Sequence, residues 1–251
     1  MSGWLAIAGL GPGNDALITP ETQAALAEAT DIVGYFPYVA RVPDRDGLTK
    51  HASDNRVELD RAAHALELAA SGQRVVVVSS GDPGVFAMAS AVFEALETGP
   101  EAWLGLDIRV LPGITAMLAA SAAAGAILGH DFCAINLSDN LKPWALIEKR
   151  LRAAIEADFA CAFYNPRSKA RPEGFARALD LLKIICEPDR LITFARAVTT
   201  EDQRITTLAL KDARPDMADM RTVVLLGSSQ TRRIDRPNQA SLVYTPRSAP
   251  A

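Results

Sequence analysis

The segment VVVVSSGDP, residues 75–83, decides the fold class of this chain. Four consecutive β-branched valines indicate a buried strand, and the Gly-Asp-Pro turn that follows ends this strand with an aspartate. In open α/β sheets, small ligands bind in the crevice at the carboxyl ends of the strands. We therefore predict a binding edge at residues 81–83, although the same tripeptide is also favoured in ordinary turns.

Strand and helix patterns alternate along the first part of the chain. A glycine loop at residues 9–13 closes the first apolar run, and Thr19-Pro20-Glu21 has the N-cap, proline and early acid of a helix start. This alternation predicts a mostly parallel sheet. The predicted strands cover residues 5–8, 75–78 and 107–111, and the predicted helices begin at Pro20 or cover residues 59–70 and 86–96.

The pattern changes in the second part of the chain. After residue 186, three strand-like runs follow with little helix between them, which predicts a mixed sheet with antiparallel members. The predicted helices cover residues 115–128, 143–156 and 172–186, and the predicted strands cover residues 133–137, 159–164, 191–198, 204–210 and 222–226. From Asp235 onward, frequent Pro, Ser and Arg predict an irregular tail.

The length of the chain favours two domains. With 251 residues, of which 49% are hydrophobic, it is long enough for two packed lobes. We predict an α/β fold with an N-terminal lobe at residues 1–113, which carries the glycine loop and the Gly-Asp-Pro turn. A C-terminal α/β lobe with the mixed sheet is predicted at residues 114–234, and the irregular tail covers 235–251.

Composition excludes several classes of protein. The formal net charge of −4 argues against a nucleic-acid-binding surface, which needs clustered basic residues. The three cysteines, Cys133, Cys161 and Cys186, lie far apart in apolar segments, so we expect neither a disulfide framework nor a metal site. We see no signal peptide. The uncharged residues 110–129 contain Pro, Gly and many alanines, which favours a buried helix over a membrane span, and a cytoplasmic location fits best.

The glycine loop at residues 9–13 invites a dinucleotide-binding interpretation. That fingerprint needs a third glycine at the position that Asn14 occupies, and Pro12 removes a backbone donor that a pyrophosphate would use. The loop therefore disfavours a nicotinamide or flavin cofactor, and a plain turn between strand and helix is the alternative.

Taken together, the turns at the strand ends resemble those of the tetrapyrrole methyltransferase family. The matching motifs are GxGPG at residues 9–13, GDP at 81–83 and PGxTA at 112–116, and the resemblance extends to about Ile234. It implies two α/β lobes with a cleft between them, a folded S-adenosylmethionine at the lobe junction, and a homodimer. It also implies cofactor contacts at Gly81, Asp82, Val85, Thr115, Ala116, Asn165 and Val198, with Pro12 on the loop facing the tetrapyrrole.

Three further segments resemble one branch of that family, the branch that methylates precorrin-3B at C17 in cobalamin synthesis. They are VGYFPY at residues 33–38, GHDFC at 129–133 and LSD at 137–139. The reaction of this branch includes ring contraction and gives precorrin-4. Within these segments the resemblance implies substrate contacts at Tyr35 and Asp139. One departure from the branch is the sequence Asn140-Leu141-Lys142 that follows.

The chemistry implied by the resemblance needs little from the protein's side chains. The sulfonium methyl group is already activated, so alignment with an electron-rich ring carbon supplies a large part of the rate. Ring contraction moves protons, and the candidate donors or acceptors are His130, Asp131, Ser138 and Asp139, although each also has an ordinary structural interpretation. Candidate partners for the carboxylates of the substrate are Arg41, Arg45, Lys142, Arg167, Lys169 and Arg171, which are also typical surface charges.

Three alternatives stay open on the sequence alone. A methyltransferase of the same family acting on another precorrin carbon would carry nearly the same motifs. A Rossmann-type oxidoreductase would need the third glycine and an acid at the end of the second strand. A non-catalytic tetrapyrrole carrier would bind pigment tightly without turning over a cofactor.

Overall fold

A computed structural model of the chain describes residues 3–54, 57–168 and 171–248. These residues divide into two compact units, Met1–Thr115 and Ala116–Ala251. The boundary predicted from the sequence, between residues 113 and 114, lies slightly before this division.

The first unit alternates strands and helices. Its strands are β1 (Trp4–Gly9), β2 (Asp31–Tyr35), β3 (Thr49–Ser53), β4 (Arg74–Ser79) and β5 (Asp107–Leu111), and its helices are α1 (Pro20–Glu28), α2 (Phe36–Val39), α3 (Glu58–Ala70) and α4 (Met88–Thr98). Short 3₁₀ helices cover Asp15–Leu17 and Glu101–Gly105. The five strands lie in the order β3-β2-β4-β1-β5, and all neighbouring pairs are parallel, so the prediction of a parallel sheet is confirmed.

The valine run forms the centre of this sheet. Val75 and Val77 pack on one face with Leu5, Leu66 and Val92. The other two valines pack on the opposite face, in a separate core. Because both faces are covered, all four valines are fully buried and the strand has a continuous apolar run instead of an alternating one.

Helix α1 begins as the sequence predicts. The side chain of Thr19 accepts a hydrogen bond from the backbone N–H of Thr22 at 3.2 Å, and Pro20 occupies the first helical position. Proline has no backbone N–H. It loses no hydrogen bond at this position, because the first N–H groups of a helix have no acceptor within the helix.

The second unit contains a mixed sheet. Its helices are α5 (Ala116–Ala124), α6 (Trp144–Glu156) and α7 (Gly174–Ile185), and its strands are β6 (Gly125–Ala126), β7 (Phe132–Asn136), β8 (Ala160–Tyr164), β9 (Leu191–Arg196), β10 (Arg204–Ala209), β11 (Thr222–Leu226), β12 (Arg232–Arg236) and β13 (Gln239–Tyr244). Short 3₁₀ helices cover Leu210–Asp212 and Pro215–Met217. Five strands lie in the order β10-β9-β11-β8-β7. Strands β7 and β8 are parallel, whereas β11 is antiparallel to both β8 and β9, which confirms the predicted mixed sheet.

The C-terminal strands correct two of the sequence predictions. Strand β13 pairs with β12 and also runs parallel to β6, directly after α5. The irregular tail predicted from Asp235 is therefore wrong for residues 235–236, which end β12, and for residues 239–244. The helix predicted to reach residue 128 ends at Ala124, because Gly125 has a φ of 139° and lies so close to β13 that a Cβ there would be 2.4 Å from the Val243 carbonyl oxygen.

The uncharged residues 110–129 form neither one long helix nor a membrane span. They divide among the end of β5, the helix α5, the short strand β6 and the loops beside them. Within the described ranges, no helix combines the length and the apolar character that crossing a membrane requires.

Three glycines bring the ends of β1, β4 and β5 into backbone contact. A Cβ on Gly9 would lie 2.4 Å from the carbonyl oxygen of Gly81, and a Cβ on Gly113 would lie 2.1 Å from the same oxygen. The backbones of Gly11 and Gly81 also exchange two hydrogen bonds, of 3.2 and 2.8 Å. Side chains at Gly9 and Gly113 would push the three strand ends apart, so these two glycines determine how closely the loops approach one another.

We predict that Gly113→Ala destabilises the first unit by about 2–3 kcal/mol, because the added methyl group overlaps backbone that cannot rotate away. Chemical denaturation monitored by circular dichroism measures this loss. Gly105→Ala is the matched control, because nothing lies within 4 Å of a Cβ at Gly105. Equal stability of the two variants would contradict the close contact of the strand ends.

Candidate active site

The first sheet brings six predicted site residues to one edge. Parallel strands have their carboxyl ends on the same side of a sheet, and β2, β4, β1 and β5 are consecutive neighbours. The loops after these ends carry the residues predicted to contact cofactor or substrate. They are Pro12, Tyr35, Gly81, Asp82, Val85 and Thr115.

Asp82 connects two of these loops. Its Oδ1 accepts a hydrogen bond from the Gly84 backbone N–H at 2.8 Å, and its Oδ2 accepts one from the Gly113 N–H at 3.0 Å. A carboxylate that accepts two N–H bonds holds both donors more strongly than a neutral side chain does. Asp82 therefore fixes its own turn and also the loop after β5, a role that its position in the sequence does not reveal.

The backbone of the Gly-Asp-Pro loop has two residues in the left-handed region. Gly81 has a φ of 64°, which glycine adopts at no steric cost. Phe86 has a φ of 54°, an uncommon conformation for a bulky side chain, and it is 47% exposed. Strained residues of this kind cluster at binding sites, where the surrounding structure holds them in place.

An aromatic pair lies near a buried cation. The pair consists of Tyr35 at the end of β2 and Tyr38 in α2, and the cation is Arg61. The rings of Tyr35 and Tyr38 meet edge to face, with centroids 5.4 Å apart. The pKa of Tyr38 is raised above its ordinary value, mainly by burial and to a smaller extent by the nearby Tyr35. Arg61 of α3 is only 5% exposed, and its guanidinium donates to Ser53 Oγ at 2.8 Å and to the Asp54 carbonyl oxygen at 2.6 Å. Burial lowers the pKa of Arg61, and this cation holds the chain at the carboxyl end of β3.

The second sheet separates the predicted catalytic residues. Strands β7, β8 and β9 are mutually parallel, so the residues after their carboxyl ends, Ser138, Asn165 and Val198, lie along one edge. His130 and Asp131 precede β7 and lie at the opposite edge, about 20 Å along the strand from Ser138. His130 and Asp131 therefore lie at a different edge of the sheet from Ser138.

Strained backbone accompanies two of the predicted cofactor contacts in this unit. Asn165 has a φ of 51°, and the residues on either side of Val198, Ala197 and Thr199, have φ values of 47° and 68°. A β-branched residue such as Thr199 is rarely found in this region. The loop is held by the hydroxyl of Thr200, which donates to the Ala197 carbonyl oxygen at 2.8 Å.

Two polar residues that the sequence analysis did not select hold this edge together. The carboxamide Oδ1 of Asn136 accepts hydrogen bonds from the Ser138 N–H at 2.9 Å and from Asn165 Nδ2 at 3.2 Å. The hydroxyl of Tyr164 accepts a hydrogen bond from the Met117 N–H at 3.0 Å, in the first turn of α5. Each is the last residue of a strand, and a polar residue at a predicted strand end is the feature of the sequence that could have indicated it.

Two of the basic residues predicted to bind substrate carboxylates have contacts within the fold. Arg41 donates to the Leu10 carbonyl oxygen at 2.8 Å and pairs with Asp15 at 2.9 Å. Arg45 donates to the Leu26 and Ala29 carbonyl oxygens. Both guanidinium groups support the backbone around α1.

The other basic candidates lie around the loops after β7 and β8. Burial lowers the pKa of Lys142, the positive charges of Arg150 and Arg171 lower it further, and Asp139 opposes the change. Arg171 donates to the Asn165 carbonyl oxygen at 3.5 Å. Arg167 is half-buried, and Lys169 lies outside the described residues. This part of the unit thus carries positive charges close enough to repel one another.

Comparison with known proteins identifies the family. Residues 5–214 match the family model of the tetrapyrrole (corrin/porphyrin) methylases. The chain belongs to this family. The α/β fold and the family resemblance predicted from the sequence are confirmed, and a tetrapyrrole methylase is a methyltransferase.

Similar proteins have related names. This tetrapyrrole methylase is 51% identical to a precorrin-3B C(17)-methyltransferase from Sinorhizobium sp., and the match covers 98% of this chain and 97% of the relative. It is 69% identical to the methyltransferase CobJ in a crystal structure, with a TM-score of 0.93 over 98% of this chain and 100% of that one. A uroporphyrin-III C-methyltransferase from Thermus thermophilus, solved in complex with S-adenosylhomocysteine, shares the fold at 20% identity and a TM-score of 0.65, over 90% of this chain and 97% of that one. The chain also matches about half the length of several longer relatives.

For this tetrapyrrole methylase we predict that Asp82→Asn lowers the free energy of unfolding by about 1–2 kcal/mol, because an amide keeps only one of the two acceptor oxygens. Asp82→Ala, which loses both acceptors, is expected to cost more. Urea denaturation of the two variants beside the unaltered protein measures the order. A stability of Asp82→Ala equal to that of the unaltered protein would show that the two bonds do not hold the loops.

Proposed function

We propose that the protein is an S-adenosylmethionine-dependent C-methyltransferase of cobalamin biosynthesis, which methylates precorrin-3B at C17 with ring contraction to precorrin-4. The observation that carries this proposal is the 51% identity to a precorrin-3B C(17)-methyltransferase over 98% of the chain. The segments at residues 33–38, 129–133 and 137–139 resemble the same branch and agree with this identity.

The loops at the strand ends fit the proposed methyl donor. Gly84, two residues after Asp82, is exposed, and the half-buried Val85 offers an apolar surface to a methionine side chain. Bound S-adenosylmethionine supplies an electrophilic methyl group. The proposed contacts to it are Gly81, Asp82, Val85, Thr115, Ala116, Asn165 and Val198. Their task is to bind and orient, since the reaction requires no nucleophilic side chain.

The proposed substrate contacts are Pro12, Tyr35 and Asp139, together with basic residues near the loop after β7. A tetrapyrrole with many carboxylates is attracted to positive charge that internal partners do not neutralise. The lowered pKa of Lys142, caused by burial and by Arg150 and Arg171, indicates such a location. Lys142 and Arg171 are therefore the proposed partners of substrate carboxylates.

Ring contraction requires a group that exchanges a proton with the macrocycle. Ser138 is the proposed group, because it lies at the same edge of the second sheet as Asn165 and Val198. His130 and Asp131 are also candidate donors or acceptors. Their side chains lie 3.8 Å apart at the other end of β7, where they form a partly exposed pair.

We also propose that the protein is a homodimer in the cytoplasm. The family resemblance implies the dimer. The three cysteines are free thiols, which is typical of a reducing compartment.

The decisive experiment combines binding with product analysis. We expect isothermal calorimetry to detect S-adenosylhomocysteine binding, and mass spectrometry to detect the gain of one methyl group when precorrin-3B and S-adenosylmethionine are incubated with the protein. A ¹³C-labelled methyl donor allows NMR to assign the methylated carbon and so separates C17 from another position. Light scattering of the same sample tests for the dimer.

Other outcomes would favour the other candidate functions. Binding of NADPH in place of S-adenosylhomocysteine would support an oxidoreductase. Tight binding of the tetrapyrrole without methyl transfer would support a carrier. Either result would contradict the proposed methyltransferase.

We predict that Lys142→Met raises the KM for the tetrapyrrole about three- to tenfold, because a charged hydrogen bond to a carboxylate is lost at a partly exposed site. Affinity for S-adenosylhomocysteine should not change. In the unaltered protein, the KM should rise in alkaline solution at a lower pH than an ordinary lysine requires, since the pKa of Lys142 is lowered, and this rise should be absent in the variant.

The matched control is Lys211→Met, which removes a lysine that pairs with Asp189 on the surface. This variant should leave the KM for the tetrapyrrole unchanged. A similar KM increase in both variants would mean that only the overall charge of the protein matters.

A further inference from the structure

The carboxyl end of β8 holds two other segments of the second unit through side chains. Its last residue, Tyr164, binds the start of α5, and the following Asn165 is bound by Asn136 at the end of β7. The partners lie 47 and 29 residues away along the chain, so these bonds fix segments that the backbone leaves independent.

The bond from Met117 to Tyr164 satisfies a helix terminus. The first four N–H groups of an α-helix have no acceptor within the helix, and Met117 is the second residue of α5. The phenol oxygen accepts the Met117 N–H at 3.0 Å in a partly buried location. This bond fixes the position of the first turn of α5, and therefore of Ala116, relative to the end of β8.

The carboxamide of Asn136 acts in both of its bonds as an acceptor through a single oxygen. One bond comes from the Ser138 N–H and closes the turn after β7, and the other comes from Nδ2 of Asn165. Asn165 itself has a left-handed backbone with a φ of 51°. The bond that Asn165 donates to Asn136 restricts rotation of the Asn165 side chain and so sets the direction of its carboxamide.

We propose that Tyr164 and Asn136 are positioning residues for the methyl donor: Tyr164 places Ala116 and Asn136 orients Asn165. This inference rests on the proposed function, in which Ala116 and Asn165 contact S-adenosylmethionine. Neither positioning residue needs to touch the cofactor. Each acts by holding a contact residue in the conformation that binds, so that binding does not have to order it.

Tyr164→Phe tests the first half of the inference. The ring and its packing are kept and the hydroxyl alone is lost, so the melting temperature should change by no more than a few degrees. We expect the Kd of S-adenosylhomocysteine to rise about tenfold, the cost of one lost hydrogen bond that leaves a donor without its partner. The KM for the tetrapyrrole should stay close to that of the unaltered protein. Tyr244→Phe, at the end of β13, is the matched control and should change neither constant.

Hydrogen exchange supplies a readout that does not depend on any ligand. In Tyr164→Phe the Met117 amide loses its acceptor, so a peptide from the start of α5 should exchange faster than in the unaltered protein or in Tyr244→Phe. Exchange at the same rate in all three proteins would overturn the role of the hydroxyl.

Asn136 allows a rescue experiment. Aspartate keeps the acceptor oxygen, whereas leucine has a similar size and no acceptor. We expect Asn136→Leu to raise the Kd of S-adenosylhomocysteine about tenfold, and Asn136→Asp to restore most of the affinity. A purely structural role would lower the melting temperature of Asn136→Leu and leave its Kd unchanged, which would overturn the inference.

The outcomes separate this inference from the proposed function. If the unaltered protein binds no S-adenosylhomocysteine, the proposed function fails and the positioning roles fail with it. If the unaltered protein binds and the Tyr164→Phe and Asn136→Leu variants bind equally well, the function stands and only the positioning roles are wrong.

Discussion

The contact among three backbones at the ends of β1, β4 and β5 is the constraint on which the first unit depends. Gly9 and Gly113 both lie against the carbonyl oxygen of Gly81, at distances that no side chain would permit. The contact brings the loops after these strands together, and the carboxylate of Asp82 then joins two of them. Two features thus produce the proposed binding edge. Side chains are absent at Gly9 and Gly113, and the carboxylate of Asp82 accepts hydrogen bonds from the backbone of Gly84 and Gly113.

Much of the fold could be predicted from local patterns. The valine run, the capped start at Thr19 and the apolar repeat of α3 each depend on neighbouring residues, and the structure has all three elements. The end of α5 and the strand β13 could not be predicted in this way. Their structure depends on pairing between Gly125 and Val243, and the local sequence of either segment carries no information about the other.

The candidate site also has features that the local sequence predicts and features that it does not. Family motifs place Asp82, Thr115 and Asn165 at strand ends, but the motifs do not say which atoms these residues hold. His130 lies near Ser138 in the sequence, yet the five-residue strand between them carries the two to opposite edges of a sheet. Two residues that are close in sequence are close in space when a turn lies between them. When a strand lies between them, its length separates them.

The pairing of β13 with β6 also determines when the second unit can be completed during synthesis. The hydroxyl of Thr245 donates to the carbonyl oxygen of Ile127, a bond that spans 118 residues. Loops of this length close slowly, and β13 follows the other strands of the second unit along the chain. The nascent chain therefore carries α5 and β6 without their neighbour until residue 244 has emerged from the ribosome, whereas all strands of the first sheet are available once residue 111 has emerged.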